Sequence, residues 1–137
     1  MELAILQDVS KCTGCRACMV ACKQWKGLPA DPTPFNGEYQ SHPGLSAKTY
    51  TLIRMREHFD NGTLRWHFVK FQCMHCSEAA CVKACPQKAL YYADYGIVAF
   101  DRERCVGCGY CVNNCPFGVP RLDEAAHKST KCNFCED

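Results

Sequence analysis

Apolar and polar positions alternate with a period of two over Lys48–Glu57 (KTYTLIRMRE) and Thr63–Gln72 (TLRWHFVKFQ), both rich in β formers. Asp60-Asn61-Gly62 between them is a hairpin turn signal. The pattern predicts a β-hairpin that delivers the chain into Cys73. Ala89–Asp101 (ALYYADYGIVAFD) reads as a smaller copy: strand, turn at Asp94–Gly96, strand. The pattern recurs more weakly at Val119–Leu122, followed by a polar turn at Asp123–Lys128. Met1–Ser10 alternates weakly, Leu3 and Ile5 against Ala4 and Leu6, and predicts a short strand. Ala17–Lys26 predicts a short helix, halted near Gly27 and Pro29. Pro29 to Leu45 carries Pro29, Pro32, Pro34 and Pro43 with Gly37 and Gly44, and reads as a loop. Loops of this length are uncommon in compact domains. Two readings stand for it: a surface laid on a partner, or a plain surface excursion.

Composition changes this picture. The chain has 137 residues and 14 cysteines, about one residue in ten, which signals a cysteine-held scaffold. Its hydrophobic fraction of 47% counts those cysteines, and without them falls to roughly 37%. That is a thin supply for an ordinary core. The implication is that prosthetic groups fill space where apolar side chains would otherwise pack.

The cysteines fall into runs. Cys105, Cys108, Cys111 and Cys115-Pro116 follow C-x2-C-x2-C-x3-C-P, the ligand spacing of bacterial ferredoxins. A tight triplet wraps three corners of an iron–sulfur cube, and the fourth thiolate comes from elsewhere. In two-cluster ferredoxins the distant Cys-Pro of one run serves the other cluster. The upstream run Cys73, Cys76, Cys81 and Cys85-Pro86 supplies the counterpart, an internal repeat with first cysteines 32 residues apart. Crosswise ligation gives one [4Fe–4S] cluster on Cys73, Cys76, Cys81 and Cys115. It gives a second on Cys105, Cys108, Cys111 and Cys85. The hairpin between the runs would cover them, with Ile97, Val98 and Phe100 excluding water. Six cysteines remain: Cys12, Cys15, Cys18 and Cys22 in a first run, and Cys132 and Cys135 opening a fourth.

Two other uses of cysteine compete. Disulfides suit small secreted proteins, but Met1–Lys11 holds no signal peptide and the close spacing would strain such bonds. Zinc suits C-x2-C pairs, but does not explain two triplets each with a remote Cys-Pro. The formal charge of +2 becomes about −2 once two clusters are added, which leaves no basic patch for nucleic acid. No apolar run approaches a membrane span. There is no nucleophile–base pair, phosphate loop or dinucleotide fingerprint, so the chain reads as an electron conduit and not a catalyst.

The strings CTGCRACMVACKQW at Cys12–Trp25, WHFVKFQCMHC at Trp66–Cys76 and CVGCGYCVNNCPFGVPRLD at Cys105–Asp123, in their four-run order, resemble the iron–sulfur β subunit of formate dehydrogenases. That subunit lies within the wider electron-transfer family serving molybdenum and tungsten pterin enzymes. The resemblance covers nearly the whole chain. It implies an α+β, ferredoxin-like fold of the bacterial polyferredoxin type, with short hairpins and helices around the clusters. It divides the chain into an inner two-cluster core (66–117), an outer half (1–26 with 118–137) and an inserted loop and hairpin (27–65). It also implies a pairing of the first run with the fourth, for up to four clusters. Since nothing follows Asp137, two outer ligands are absent here. The expectation is that a four-cluster relay needs residues beyond Asp137 or ligands from a partner.

The partner implied is a catalytic subunit bearing Mo or W and a bis-pterin, which oxidises formate or reduces carbon dioxide, with a further acceptor subunit possible in such complexes. Rival readings are the same relay for a sulfoxide, polysulfide or aldehyde enzyme, a free soluble polyferredoxin, and a structural zinc module. The missing signal peptide favours the cytoplasm; the resemblance leaves open export to the periplasm with a catalytic partner. Five further positions carry paired readings. His75, between two ligands, tunes a cluster by hydrogen bonding or simply packs. Trp25 and Trp66 are interface anchors or core cover. Lys83 and Arg104 raise a cluster potential or are solvated charge.

Overall fold

Regular structure among the described residues is short: three α-helices and three antiparallel two-stranded hairpins. The computed structural model describes residues 2–136. The chain divides into two compact units, one of Ile5–Gln72 and one of Met1–Ala4 with Cys73–Asp137.

In the first unit a 3-10 turn spans Val9–Lys11, closed by the Asp8 carboxylate, which accepts from the Ser10 N–H at 3.0 Å. The strand predicted over Met1–Ser10 is not formed across its described residues. Leu3, Ile5 and Leu6 stay exposed, so their weak alternation buries no face. Helix α1 runs Ala17–Lys26 and stops where Gly27 turns left-handed, its N–H donating to Gln24 O. Met19 is the buried residue of α1. Lys23 Nζ donates to the Pro29 carbonyl at 3.0 Å and the Lys48 carbonyl at 2.5 Å. The Asp31 carboxylate accepts from Ser46 and Thr49 hydroxyls, each at 2.6 Å. These bonds fasten the proline-rich segment at both ends.

Strands β1 (Leu52–Asp60) and β2 (Thr63–Phe71) pair in register from Leu52↔Phe71 to Asp60↔Thr63. Their two-residue turn places Asn61 and Gly62 at positive φ, as a twisted hairpin requires. β1 starts four residues later than the alternation suggests, because Ser46 and Thr49 close a bridge of their own first. Only its base, Leu52 and Ile53, is buried, while the far end is exposed.

The second unit repeats one plan twice. A cysteine loop leads to helix α2 (Ala80–Lys83) and then to strands β3 (Leu90–Tyr92) and β4 (Val98–Phe100). A second loop leads to α3 (Tyr110–Asn114) and strands β5 (Arg121–Asp123) and β6 (Lys128–Thr130). α2 and α3 pack together. The core is Ala79, Cys81, Leu90, Val98 and Cys111, so thiols stand where aliphatic side chains would. No helix among the described residues is long and apolar enough to cross a membrane.

Candidate metal centres

Each of the four cysteine runs opens with a C-x2-C turn, and the third residue of each turn has a positive φ: Gly14 +70°, His75 +46°, Gly107 +71°, Phe134 +65°. This curl directs amides at sulfur. The Gly107 N–H donates to Cys105 Sγ and the Phe134 N–H to Cys132 Sγ, both at 3.4 Å, and the His75 amide bonds Cys73 in the same way. Glycine adopts such a φ freely, whereas other residues lose about 1–2 kcal/mol. The turns at His75 and Phe134 therefore hold strain that their surroundings must offset. Amide bonds to cysteine sulfur are a means by which proteins hold and tune iron–sulfur centres.

Gly107 is constrained twice. A Cβ there would stand 2.3 Å from the His127 carbonyl oxygen. Gly107→Ala is expected to lower the iron held by the Cys105 set severalfold, read as iron and sulfide per chain after anaerobic purification. Wild-type loading would contradict the turn geometry.

Two small cavities of like size lie in the second unit. Around the first stand Cys73, Cys76, Cys81 and Cys115, with Val98 and Lys131. Around the other stand Cys85, Cys105, Cys108 and Cys111, with Leu90 and Ser129. The short helices explain this exchange. Cys81 lies on α2 and Cys85 just past its end, facing different cavities; Cys111 and Cys115 stand likewise on and after α3. Further donors reach sulfur at the second cavity. Ala89 N–H bonds Cys85 Sγ and Ser129 N–H bonds Cys105 Sγ, both at 3.3 Å, while the Ser129 hydroxyl lies 3.2 Å from Cys111 Sγ.

The donor set fits iron–sulfur cubes. Each cavity has four thiols, mostly apolar walls, and amides aimed at sulfur. Among the described residues no three His, Cys, Asp or Glu side chains close on a point as a single ion needs. Burial pushes the Cys81 thiol up to about 11, and raises Cys73 and Cys111 also. In the metal-free chain these thiols hold protons at neutral pH, and iron must displace them.

His75 is pushed down to about 4, by burial first and then by the charge of Lys131. It is therefore neutral at pH 7. Its Nδ1 accepts from the Val98 N–H at 3.1 Å, which puts the ring proton on Nε2. That Nε2 is buried and has no partner among the described residues, a donor that sulfur would satisfy. The ring also meets Phe134 edge-on at 5.1 Å.

Lys83 and Arg104 are exposed and ion-paired, with Glu78 and Asp101 respectively, which matches solvated charge. Trp25 is exposed and covers no core, while Trp66 packs edge-on against Tyr39 at 4.7 Å. In the first unit the loop of Cys12 and Cys15 leads to Cys18 and Cys22 on α1, and the Phe68 ring lies against Gly14. Cys132 is buried and Cys135 exposed, in the second unit. Sequence reasoning missed Lys131, which is 5% exposed. Nothing distinguishes it along the chain from other lysines, since its burial arises only when β6 closes over a cavity.

Two family models, each described as a 4Fe–4S dicluster domain, match residues 64–137 and 11–89. The chain is 44% identical to the nitrate-inducible formate dehydrogenase iron–sulfur subunit of Escherichia coli, over 99% of this chain and 47% of the relative. It is 41% identical to the formate dehydrogenase iron–sulfur subunit of Haemophilus influenzae, over 100% of this chain and 45% of the relative. It is 38% identical to the thiosulfate reductase electron transfer subunit of Salmonella typhi, over 99% of this chain and 64% of the relative. The chain thus spans about half the length of its formate dehydrogenase relatives. With its paired cysteine runs and a model match over more than half its length, the chain belongs to the 4Fe–4S dicluster domain family, and its cofactors are [4Fe–4S] clusters.

Proposed function

We propose that this chain is an electron-transfer subunit, without catalytic chemistry of its own, in a formate dehydrogenase complex. The observation that carries the reading is the gathering of two four-thiol sets around two cavities of one small unit. When bound, each cluster accepts and returns one electron. Cys73, Cys76, Cys81 and Cys115 hold one, and Cys85, Cys105, Cys108 and Cys111 the other, in an arrangement of the bacterial polyferredoxin type. Leu90 and Val98, both almost wholly buried, keep water from the space between. Cys12, Cys15, Cys18 and Cys22 in one unit, and Cys132 and Cys135 in the other, serve outer clusters. The partner is a subunit bearing Mo or W and a bis-pterin, which supplies or consumes the electrons.

A second reading, the same relay for another pterin oxidoreductase, is favoured by the 38% identity to a thiosulfate reductase subunit. Anaerobic addition of formate to the purified complex separates the two. The proposal expects reduced-cluster signals in electron paramagnetic resonance within seconds. Clusters that stay oxidised with formate, yet exchange electrons with a sulfur substrate, would favour the second reading.

A further inference from the structure

We propose that Lys131 is the fixed counter-charge of the cluster on Cys73, Cys76, Cys81 and Cys115, and that it raises that cluster's reduction potential. This rests on the ligand sets given above. Lysine is almost never fully buried without a partner, yet Lys131 is 5% exposed. Its Nζ donates to two neutral acceptors, the Val98 carbonyl and, at 2.5 Å, the Cys132 carbonyl. The ion pairs among the described residues all belong to other cations: Lys11, Arg65, Lys83, Arg102 and Arg104. A buried ammonium with only carbonyl partners is costly unless an anion stands near. The cavity it lines, with four cysteines, supplies one.

Four thiolates and an oxidised cube carry about two negative charges, and one more on reduction. Low dielectric makes a neighbouring cation count, and Lys131 therefore favours the reduced form. The step is a one-electron reduction: no bond is made or broken and no proton changes place. The electron comes from dithionite in the test and from the catalytic partner in the complex. The second cavity has no Lys or Arg among its lining residues, and its nearest counterpart is the half-buried Lys128, whose Nζ donates to the Cys105 carbonyl at 2.5 Å from behind that ligand. Lys131 differs in lining the cavity itself, and the Cys73 site is by that charge easier to reduce than it would be without it.

The test is a potentiometric titration followed by electron paramagnetic resonance, on the full-length subunit in its complex. The Cys73-set signal is assigned by its loss in a Cys115→Ser complex. Lys131→Gln keeps donors for the two carbonyls and drops the charge. It is expected to make that cluster at least tenfold harder to reduce, a downward shift of about 59 mV for one electron, with the other clusters unmoved. Lys131→Arg should stay near wild type, as should Lys83→Gln, whose charge is exposed. An unshifted potential in a fully loaded Lys131→Gln complex overturns the proposal. If Lys131→Gln fails to load iron while Lys131→Arg loads it, the site requires the charge and the proposal stands. If neither loads, Lys131 is a structural strut and the proposal is overturned. An unsubstituted complex with no signal that depends on Cys115 would refute the ligand set itself, whatever Lys131 does.

Discussion

Replacing Cys115 with serine is expected to abolish or convert the cluster on Cys73, Cys76 and Cys81, while the cluster on Cys105, Cys108 and Cys111 keeps its signal. The expectation runs against position in the sequence, since Cys115 lies four residues from Cys111 and 34 from Cys81. Its cause is the pose of the helix end. Cys111 lies within α3, whereas Cys115 caps it in an extended conformation, which carries its thiol to the other cavity. A site left with three thiolates is expected to lose its cluster or to shed the iron at the vacated corner, giving a three-iron form whose oxidised state has a resonance that the four-iron form lacks. The iron count should fall by between one and four atoms per chain. Cys85→Ser is the mirror case and should damage the Cys105 site. Loss confined to the substituted residue's own run, in both variants, would rule out the exchange of ligands between runs.

Removing iron under anaerobic reducing conditions is expected to dissolve the fixed fold of the second unit. Its buried core is small: Leu90 and Val98 are the large aliphatic side chains in the central cluster, and Cys81 and Cys111 fill the rest. Units of fewer than about 70–80 residues rarely hold themselves together on such a core without staples, and here the clusters are the staples. Hydrophobic contact among thiols cannot replace eight iron–sulfur bonds, so the binding free energy of the metal is folding free energy. Circular dichroism and amide exchange measure the outcome. The amides of β3 and β4 should lose their protection together with the iron and regain it on reconstitution. Protection that survives complete iron removal would mean that the apolar core suffices.

How much of this was legible along the chain depends on whether the signal is local. Helix α1 was, because Gly27 and Pro29 stop it. The β1–β2 hairpin was also legible, because Asn61-Gly62 suits the turn that twisted strands require. Its start was not, since the Ser46–Thr49 bridge depends on Asp31, fifteen residues upstream of Ser46. The strand expected over Met1–Ser10 had a pattern, but among the described residues it bonds a distant backbone segment at Leu3, whose N–H donates to the Tyr95 carbonyl at 3.0 Å, and one such bond makes no sheet. At the candidate centres, spacing grouped the cysteines into runs, and the lining of each cavity draws on both inner runs. The left-handed turns were half visible: Gly14 and Gly107 announce them, while His75 and Phe134 occupy equivalent positions without the residue type that signals them. His75 was noted for its place between two ligands, but its tautomer follows from the Val98 amide, a contact between distant segments. Lys131 left no trace at all. Its burial is a tertiary event, made when β6 and Val98 come together.

We propose above all that the two inner cysteine runs exchange ligands around two four-iron clusters. An iron-edge anomalous diffraction map of the anaerobic, iron-loaded protein tests it most directly. Four iron peaks should lie bounded by the sulfurs of Cys73, Cys76, Cys81 and Cys115, and four more by those of Cys85, Cys105, Cys108 and Cys111. A single metal site bounded by all four sulfurs of Cys105, Cys108, Cys111 and Cys115 would contradict it.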